Sequence, residues 1–293
     1  MPKSFLTVAR QTAIRQYRAM HDAPETQFGI YVCPACKGHL ELRDATLQCH
    51  VCSMTYPILD GIPNFLLEDL KTSMNGTLRR IGKRDSSFLL NFAARLYEPF
   101  IYPIVCNLFA GWHSTSLNAL ADDISAIMRP TNGVVLDVGC GPGTYGRRLA
   151  SKSRSIYGVD ACMSMLRQGA RYVERDHLPD VHFARARIEA LPFRNGLFDA
   201  AICAGSLNHF TDTVLALREV CRAMKLGAPL AVDCFVASNH GLFKYRSLRK
   251  KVEEGGGHIF ELPQLEKYVT EAGFGDFHSR AYGSVLVFSA RKK

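Results

Sequence analysis

The sequence predicts an α/β fold, an open doubly wound sheet, preceded by a small cysteine-rich unit. Three observations carry that reading. Residues 134–138 form an apolar run that ends in Gly139, Gly141 and Gly143, the pattern of a buried parallel strand turning into a helix. Residues 155–159 form a second apolar run, ending in Asp160, 23 residues after Asp137. Upstream, Cys33, Cys36, Cys49 and Cys52 stand in a C-x2-C-x12-C-x2-C spacing.

Composition bounds the reading without deciding it. The 293 residues can bury one good core plus an accessory module. The 47% hydrophobic and 22% charged fractions are those of a soluble globular chain. Without a run of 18 apolar residues, a membrane-spanning helix is not predicted. The formal net charge of +9 suits RNA, an anionic membrane surface or an anionic small substrate, and by itself means only solubility. Its positive charges are dispersed, densest at Arg79, Arg80, Lys83 and Arg84 and again from Lys244 to Lys251. Ten cysteines in a chain of this size argue against a secreted disulfide scaffold and for a reducing, cytoplasmic setting.

Four segments are expected: a helical 1–28, a cysteine unit over 29–68, a linker and apolar lid over 69–114, and the α/β domain over 115–293. In the first, Phe5, Ala9, Ala13, Tyr17 and Met20 share one helical face among basic residues, as in a membrane-surface helix, a transit-like segment or a plain surface helix. In the second, two C-x-x-C turns joined by a hairpin aim four thiolates at one point, a closed tetrahedral site for structural Zn2+. The following residues 54–66 and the cysteine spacing resemble the small zinc-ribbon family related to the activator subunit of tRNA methyltransferases. Further on, residues 88–112 are aromatic and interrupted by Pro99 and Pro103, which break a long helix. Tyr97, Phe100, Tyr102 and Trp112 are candidates to line an apolar pocket, touch a membrane, or pack against the ribbon or sheet edge. An amphipathic helix over 117–128 leads into the first strand.

The glycine run also meets a dinucleotide G-x-G-x-x-G spacing through Gly146, but the acid Asp137 inside the motif argues against NAD. Asp137, Gly139, Cys140, Gly141 and Gly143 instead resemble the first motif of class I S-adenosylmethionine methyltransferases, a Rossmann-like family. The resemblance continues through Asp160, residues 188–193, residues 198–206 and residues 215–230. It implies S-adenosylmethionine as cofactor, its methionine part against Gly139, Gly141 and Gly143 and its ammonium end near Asp137. Asp160 would accept the ribose hydroxyls, followed by Ala161 and Met165; Ile188 and Glu189 would flank the adenine, and Ala204 would close the site. Arg187 stands where relatives often carry an adenine-binding acid, which leaves that contact to the backbone or Glu189.

Residues 206–210 follow the fourth strand and lack the N-P-P-Y turn of base-modifying amino methyltransferases; they show the x-L-x-H form of small-molecule enzymes. Asn208 is read as a substrate contact and His209 as a general base or a structural histidine, since its pKa lies near neutrality. His258 is a second candidate, behind a triple glycine read as a mobile loop, and residues 284–290 are read as the last strand. The resemblance thus implies a methyltransferase for an apolar or aromatic small-molecule acceptor, quinone-like or polyketide-like, with peripheral membrane contact as an option. The alternatives are an rRNA or tRNA base methyltransferase gripping RNA through the ribbon, and a noncatalytic cofactor-binding module. Oligomeric state is not legible.

Overall fold

The structure, a computed structural model, describes residues 28–66, 94–101, 103–104, 117–128, 132–150, 154–238 and 245–293. The expected N-terminal helix, most of the linker, Tyr102 and Trp112 lie outside the described residues. The cysteine unit is an antiparallel sheet of β1 (Leu40–Arg43), β2 (Thr46–Cys49), β3 (Thr55–Leu59) and β4 (Ile62–Pro63), in that order. Asp44 and Asp60 turn its hairpins in the left-handed region that short polar side chains tolerate.

After a π-helical turn at Tyr97–Ile101, the main domain begins with α1 (Leu117–Met128). Next come β5 (Gly133–Val138), α2 (Thr144–Leu149), β6 (Arg154–Asp160), α3 (Met163–Arg175) and β7 (Val181–Arg185). The second half runs through β8 (Ala200–Ala204), α4 (Thr213–Ala223), β9 (Pro229–Phe235), α5 (Arg246–Glu254), α6 (Leu262–Glu271), β10 (Phe274–Tyr282) and β11 (Val285–Lys292). The sheet order is β10-β11-β9-β8-β5-β6-β7. Strands β7, β6, β5, β8 and β9 are parallel, and β11 runs antiparallel between β9 and β10. The order reverses between β5 and β8, and a doubly wound sheet binds ligands at the carboxyl ends beside that reversal.

Period-two alternation sends each strand's residues into two cores. Leu136 and Val138 join one cluster, while Val135, Ile156 and Ile202 meet Leu120, Ile124 and Met128 of α1 in the other. The first cluster also holds Leu40, Leu47 and Tyr56, so the ribbon and the domain share one apolar core. Asn64 bridges Arg185 and Phe65 N–H donates to its carbonyl at 2.7 Å, which covers β7, the edge strand. Tyr31 bridges Phe193, and Val32 N–H donates to the Pro192 carbonyl at 2.9 Å. Lys37 Nζ completes the seam, donating to the Leu191 carbonyl at 2.9 Å and to Glu219 at 3.1 Å.

Among the elements that escape the sequence reading are β10 and α5. β10 is a mostly exposed edge strand with a bulge between Gly275 and His278, and α5 has no buried residue. The triple glycine forms the turn that ends α5 and leads to His258: Gly255 caps the helix, and Gly257 is buried against Val252.

Candidate active site

The glycine turn is shaped from below by carboxylates. Asp137, at the last turn of β5 and 2% exposed, accepts from Gly146 N–H at 3.1 Å. A Cβ on Gly146 would stand 2.7 Å from that carboxylate oxygen, so Gly146 serves Asp137 rather than a dinucleotide. Burial is the main reason the Asp137 pKa rises to about 7; Asp160 and Asp233 add to it, while the Gly146 amide opposes it. From β6, Asp160 accepts from Gly141 N–H at 2.8 Å and from Cys162 N–H at 2.7 Å, drawing the turn over the strand end.

The three predicted glycines differ in what surrounds them. Gly139 (φ 62) is pressed against Ser206, and Gly143 (φ 74) against Phe183. At Gly141 (φ 54) a Cβ would meet nothing within 4 Å, so its α-carbon borders open space. Phe183 was not anticipated. Its ring fills a notch made by Gly143, Gly158 and Gly169, each of which would crowd it with a side chain. The sequence signal was two glycines inside a strand and a helix.

Beyond Asp160, the Ala161 carbonyl accepts from Arg185 Nε at 2.8 Å, and Met165 is half-buried in the first turn of α3. Ile188–Ala190 forms a 3-10 turn with Ile188 buried and Glu189 facing Arg187 at 3.7 Å. Ala204 ends β8 and precedes the turn that carries Leu207–His209. That turn is fastened by Asp233 of β9, which accepts from Gly205 N–H and, at 2.8 Å, from the Tyr145 hydroxyl of α2. Both side chains are buried; an acid inside the apolar run PLAVDCF was the available signal.

Asn208 requires a correction. It is 2% exposed, its amide N–H groups donate to the Phe235 and His258 carbonyls, and its oxygen accepts from Phe235 N–H at 2.7 Å. Spent on backbone, this amide is a clamp rather than a substrate contact. It ties the turn to the strand β9 and to the loop carrying His258, whose own N–H donates to the Asn208 carbonyl at 2.8 Å. His209 is exposed, yet desolvation by the protein around it, then His258, lower its pKa. His258 itself is half-buried and stacks on Phe260.

Of the expected lid residues, Tyr97 is half-buried against the core cluster that includes Leu120 and Tyr145, and Phe100 is 58% exposed. Between them Glu98 pairs with Arg147 of α2, which also donates to the Pro142 carbonyl in the glycine turn. A cleft of about 210 Å³ opens elsewhere, at the seam between β4 and α3, lined by Tyr31, Ile62 and Val173.

In the ribbon, the Sγ atoms of Cys33, Cys36, Cys49 and Cys52 all lie within 4.8 Å of one another. Val51 N–H points at Cys49 Sγ, and the Tyr56 hydroxyl lies 3.1 Å from Cys33 Sγ. Four thiols this close, with donors behind them, fit a structural zinc ion.

Residues 135–227 match the methyltransferase-domain family, and residues 30–61 match the Trm112p-like protein family. The chain thus carries a segment, residues 135–227, that matches a methyltransferase domain. A chloroplastic methyltransferase of Arabidopsis thaliana is 23% identical over 167 residues, 55% of this chain and 47% of that protein. A 2-phytyl-1,4-naphtoquinone methyltransferase of Trichormus variabilis is 31% identical over 113 residues, 37% of this chain and 49% of that protein. The chain thus spans about half the length of these relatives. In fold, the methyltransferase domain is similar to Haemonchus contortus phosphoethanolamine N-methyltransferase 2 in complex with S-adenosyl-L-methionine. The TM-score is 0.57 at 18% identity, over 72% of this chain and 59% of that one. The open space at Gly141, whose amide is held by Asp160, fits S-adenosylmethionine, a cation that needs close backbone approach and a carboxylate nearby.

Proposed function

We propose that the protein transfers a methyl group from S-adenosylmethionine to an apolar or aromatic small molecule of the quinone type. The observation that carries the cofactor half is the turn at Gly141, open on its outer side and held by Asp160. The acceptor half draws on the likeness to a naphtoquinone methyltransferase. Bound at this turn, the cofactor supplies an electrophilic methyl group on sulfonium sulfur. Asp160 takes the ribose hydroxyls, with Ala161 and Met165 beside it. Ile188 and Glu189 wall the adenine, and Asp137 balances positive charge from beneath the turn. Ala204 and the Leu207–His209 turn face the acceptor.

His209 holds a neutral imidazole at neutral pH because its pKa is lowered. It would take the proton that the acceptor loses on methylation. The four cysteines hold structural zinc, and the ribbon steadies residues 191–193 rather than joining the chemistry. Among the described residues no helix is long and apolar enough to cross a membrane. A quinone-type acceptor is met peripherally, through the exposed Phe100 and Ile104 and the basic helix α5.

The test incubates the full chain with radiolabelled S-adenosylmethionine and two fractions of cell extract, organic-soluble metabolites and RNA. Label in the organic fraction, lost in Asp160→Ala, supports the proposal. Label in RNA would move the ribbon to nucleic-acid recognition and overturn the acceptor class.

A further inference from the structure

The cleft of about 210 Å³ between β4 and α3 lies apart from the candidate active site. It is lined by Val181, where β7 begins, and by Val173 and Glu174 near the end of α3. Asp160 and residues 188–190 lie at the opposite ends of those elements, before α3 and after β7. Phe28, Tyr31 and Phe183 add three aromatic rings to the cleft. Tyr31 is 4% exposed, yet its hydroxyl has no hydrogen-bond partner among the described residues. Burial first, then Tyr157, push its pKa up, so the phenol keeps its proton. A buried tyrosine hydroxyl normally finds a partner, and the cleft is where one can arrive.

The other polar groups of the cleft are acceptors. Ile156 N–H donates to the Asp180 carbonyl and Ala186 N–H to the Asp160 carbonyl, so the even-numbered residues of β7 serve β6. Phe183 therefore presents its carbonyl to the outer edge. Phe65 N–H reaches the Arg185 carbonyl there, but two residues earlier the same position is Pro63, which has no N–H to give. The Phe183 carbonyl is thus left without a backbone donor among the described residues. Asp60 is paired with Arg167 at 2.7 Å, whereas the Glu174 carboxylate has no ion pair among the described residues. His182, also at the cleft, has its pKa lowered by desolvation, so it adds no positive charge at neutral pH.

We propose that this cleft binds a small primary amine on an apolar or aromatic body, its ammonium group held by Glu174 and the Phe183 carbonyl. The three rings take the body and favour a cation near their faces. The Tyr31 hydroxyl gains the partner it lacks. Pockets for drug-sized ligands run to about 300–1,000 Å³. At about 210 Å³ this one takes a smaller molecule. The site needs neither the cofactor nor the acceptor, and it stands whether or not the function proposed above holds.

The test is ligand-observed NMR titration of the full chain at neutral pH with two probes of one shape, phenethylamine and 2-phenylethanol. The amine should bind with a Kd on the order of 1 mM, the range for a fragment of this size, and about tenfold tighter than the uncharged alcohol. Glu174 is exposed, so Glu174→Gln should leave the Tm unchanged; it is expected to erase the preference and keep the alcohol within about twofold. Tyr31→Phe keeps the ring and should weaken the amine by about threefold or more. Saturating S-adenosylhomocysteine should leave the bound amine in place. Equal affinity for the two probes, or no binding of either, overturns the proposal. A preference that survives Glu174→Gln also overturns it, as does amine binding unchanged in Tyr31→Phe, since either places the probe elsewhere. Displacement by S-adenosylhomocysteine puts the probe in the cofactor site and overturns it too.

Discussion

At Asp137, burial and hydrogen bonding pull in opposite directions, and burial wins. In the ligand-free fold the carboxyl keeps its proton up to about pH 7, whereas an unfolded aspartate loses it near pH 3.8. Folding therefore takes up a proton between those values, and stability falls as pH rises through that window, then levels off. Asp137→Asn, which still accepts from Gly146, should melt higher than wild type at pH 8, and the gap should close toward pH 4. Melting curves across that range check it; a gap independent of pH would mean that Asp137 is not the group titrating. His209 moves the other way. Desolvation and His258 lower its pKa, so the neutral base persists below the ordinary value of about 6.5. The acid limb of the methyl-transfer rate should lie below that pH, and His209→Gln should remove the limb and slow turnover by about 100-fold or more. A limb that survives in His209→Gln assigns the base elsewhere.

Among the elements, the ribbon is bound into the domain through the edge strand β7 and residues 191–193. Tyr31 packs 5.4 Å from both Phe65 and Phe193, ring centroid to ring centroid, and all three rings are buried. Burying an aromatic side chain contributes about 1.5–3 kcal/mol, so the seam is a substantial part of a marginal total. Losing the zinc should cost the domain that support. Chelation is expected to lower the Tm of the full chain by about 5 °C or more, restored by added zinc. An unchanged Tm with zinc shown to be gone would mean that the ribbon folds without metal. The Phe183 notch is a second coupling of this kind: a side chain at Gly169 would stand 2.8 Å from the Pro142 carbonyl, so α3 and the glycine turn share one spacing.

Over the whole molecule, the chain carries both an excess of positive charge and exposed apolar residues. The net charge is +9, α5 presents Arg246, Lys250 and Lys251, and Phe100 and Ile104 are exposed. Basic residues near an anionic bilayer contribute about 1 kcal/mol each, a term that salt screens. The full chain should therefore sediment with vesicles containing phosphatidylserine at low salt and release at high salt, with Phe100→Ser reducing the bound fraction. A chain that stays in the supernatant at low salt confines the acceptor to the aqueous phase.

The sequence alone determined the parts whose physics is local. Three glycines at alternate positions after an apolar run can serve only a tight turn and close approach, and four cysteines at ribbon spacing can converge only on one point. The strands β5, β6 and β8 were legible for the same reason, as apolar runs ending in acids or glycines. Tertiary structure alone decided the rest. β10 and α5 went unread because neither buries a regular apolar face. Asn208 read as a substrate contact because spacing shows where a polar residue falls, not that three backbone groups already hold it. Tyr145, Asp233 and Phe183 meet their partners only once strands far apart in the chain lie side by side. Likewise the ribbon and the domain, separate motifs in the sequence, proved to share a core, since burial of apolar surface is indifferent to the order of the chain.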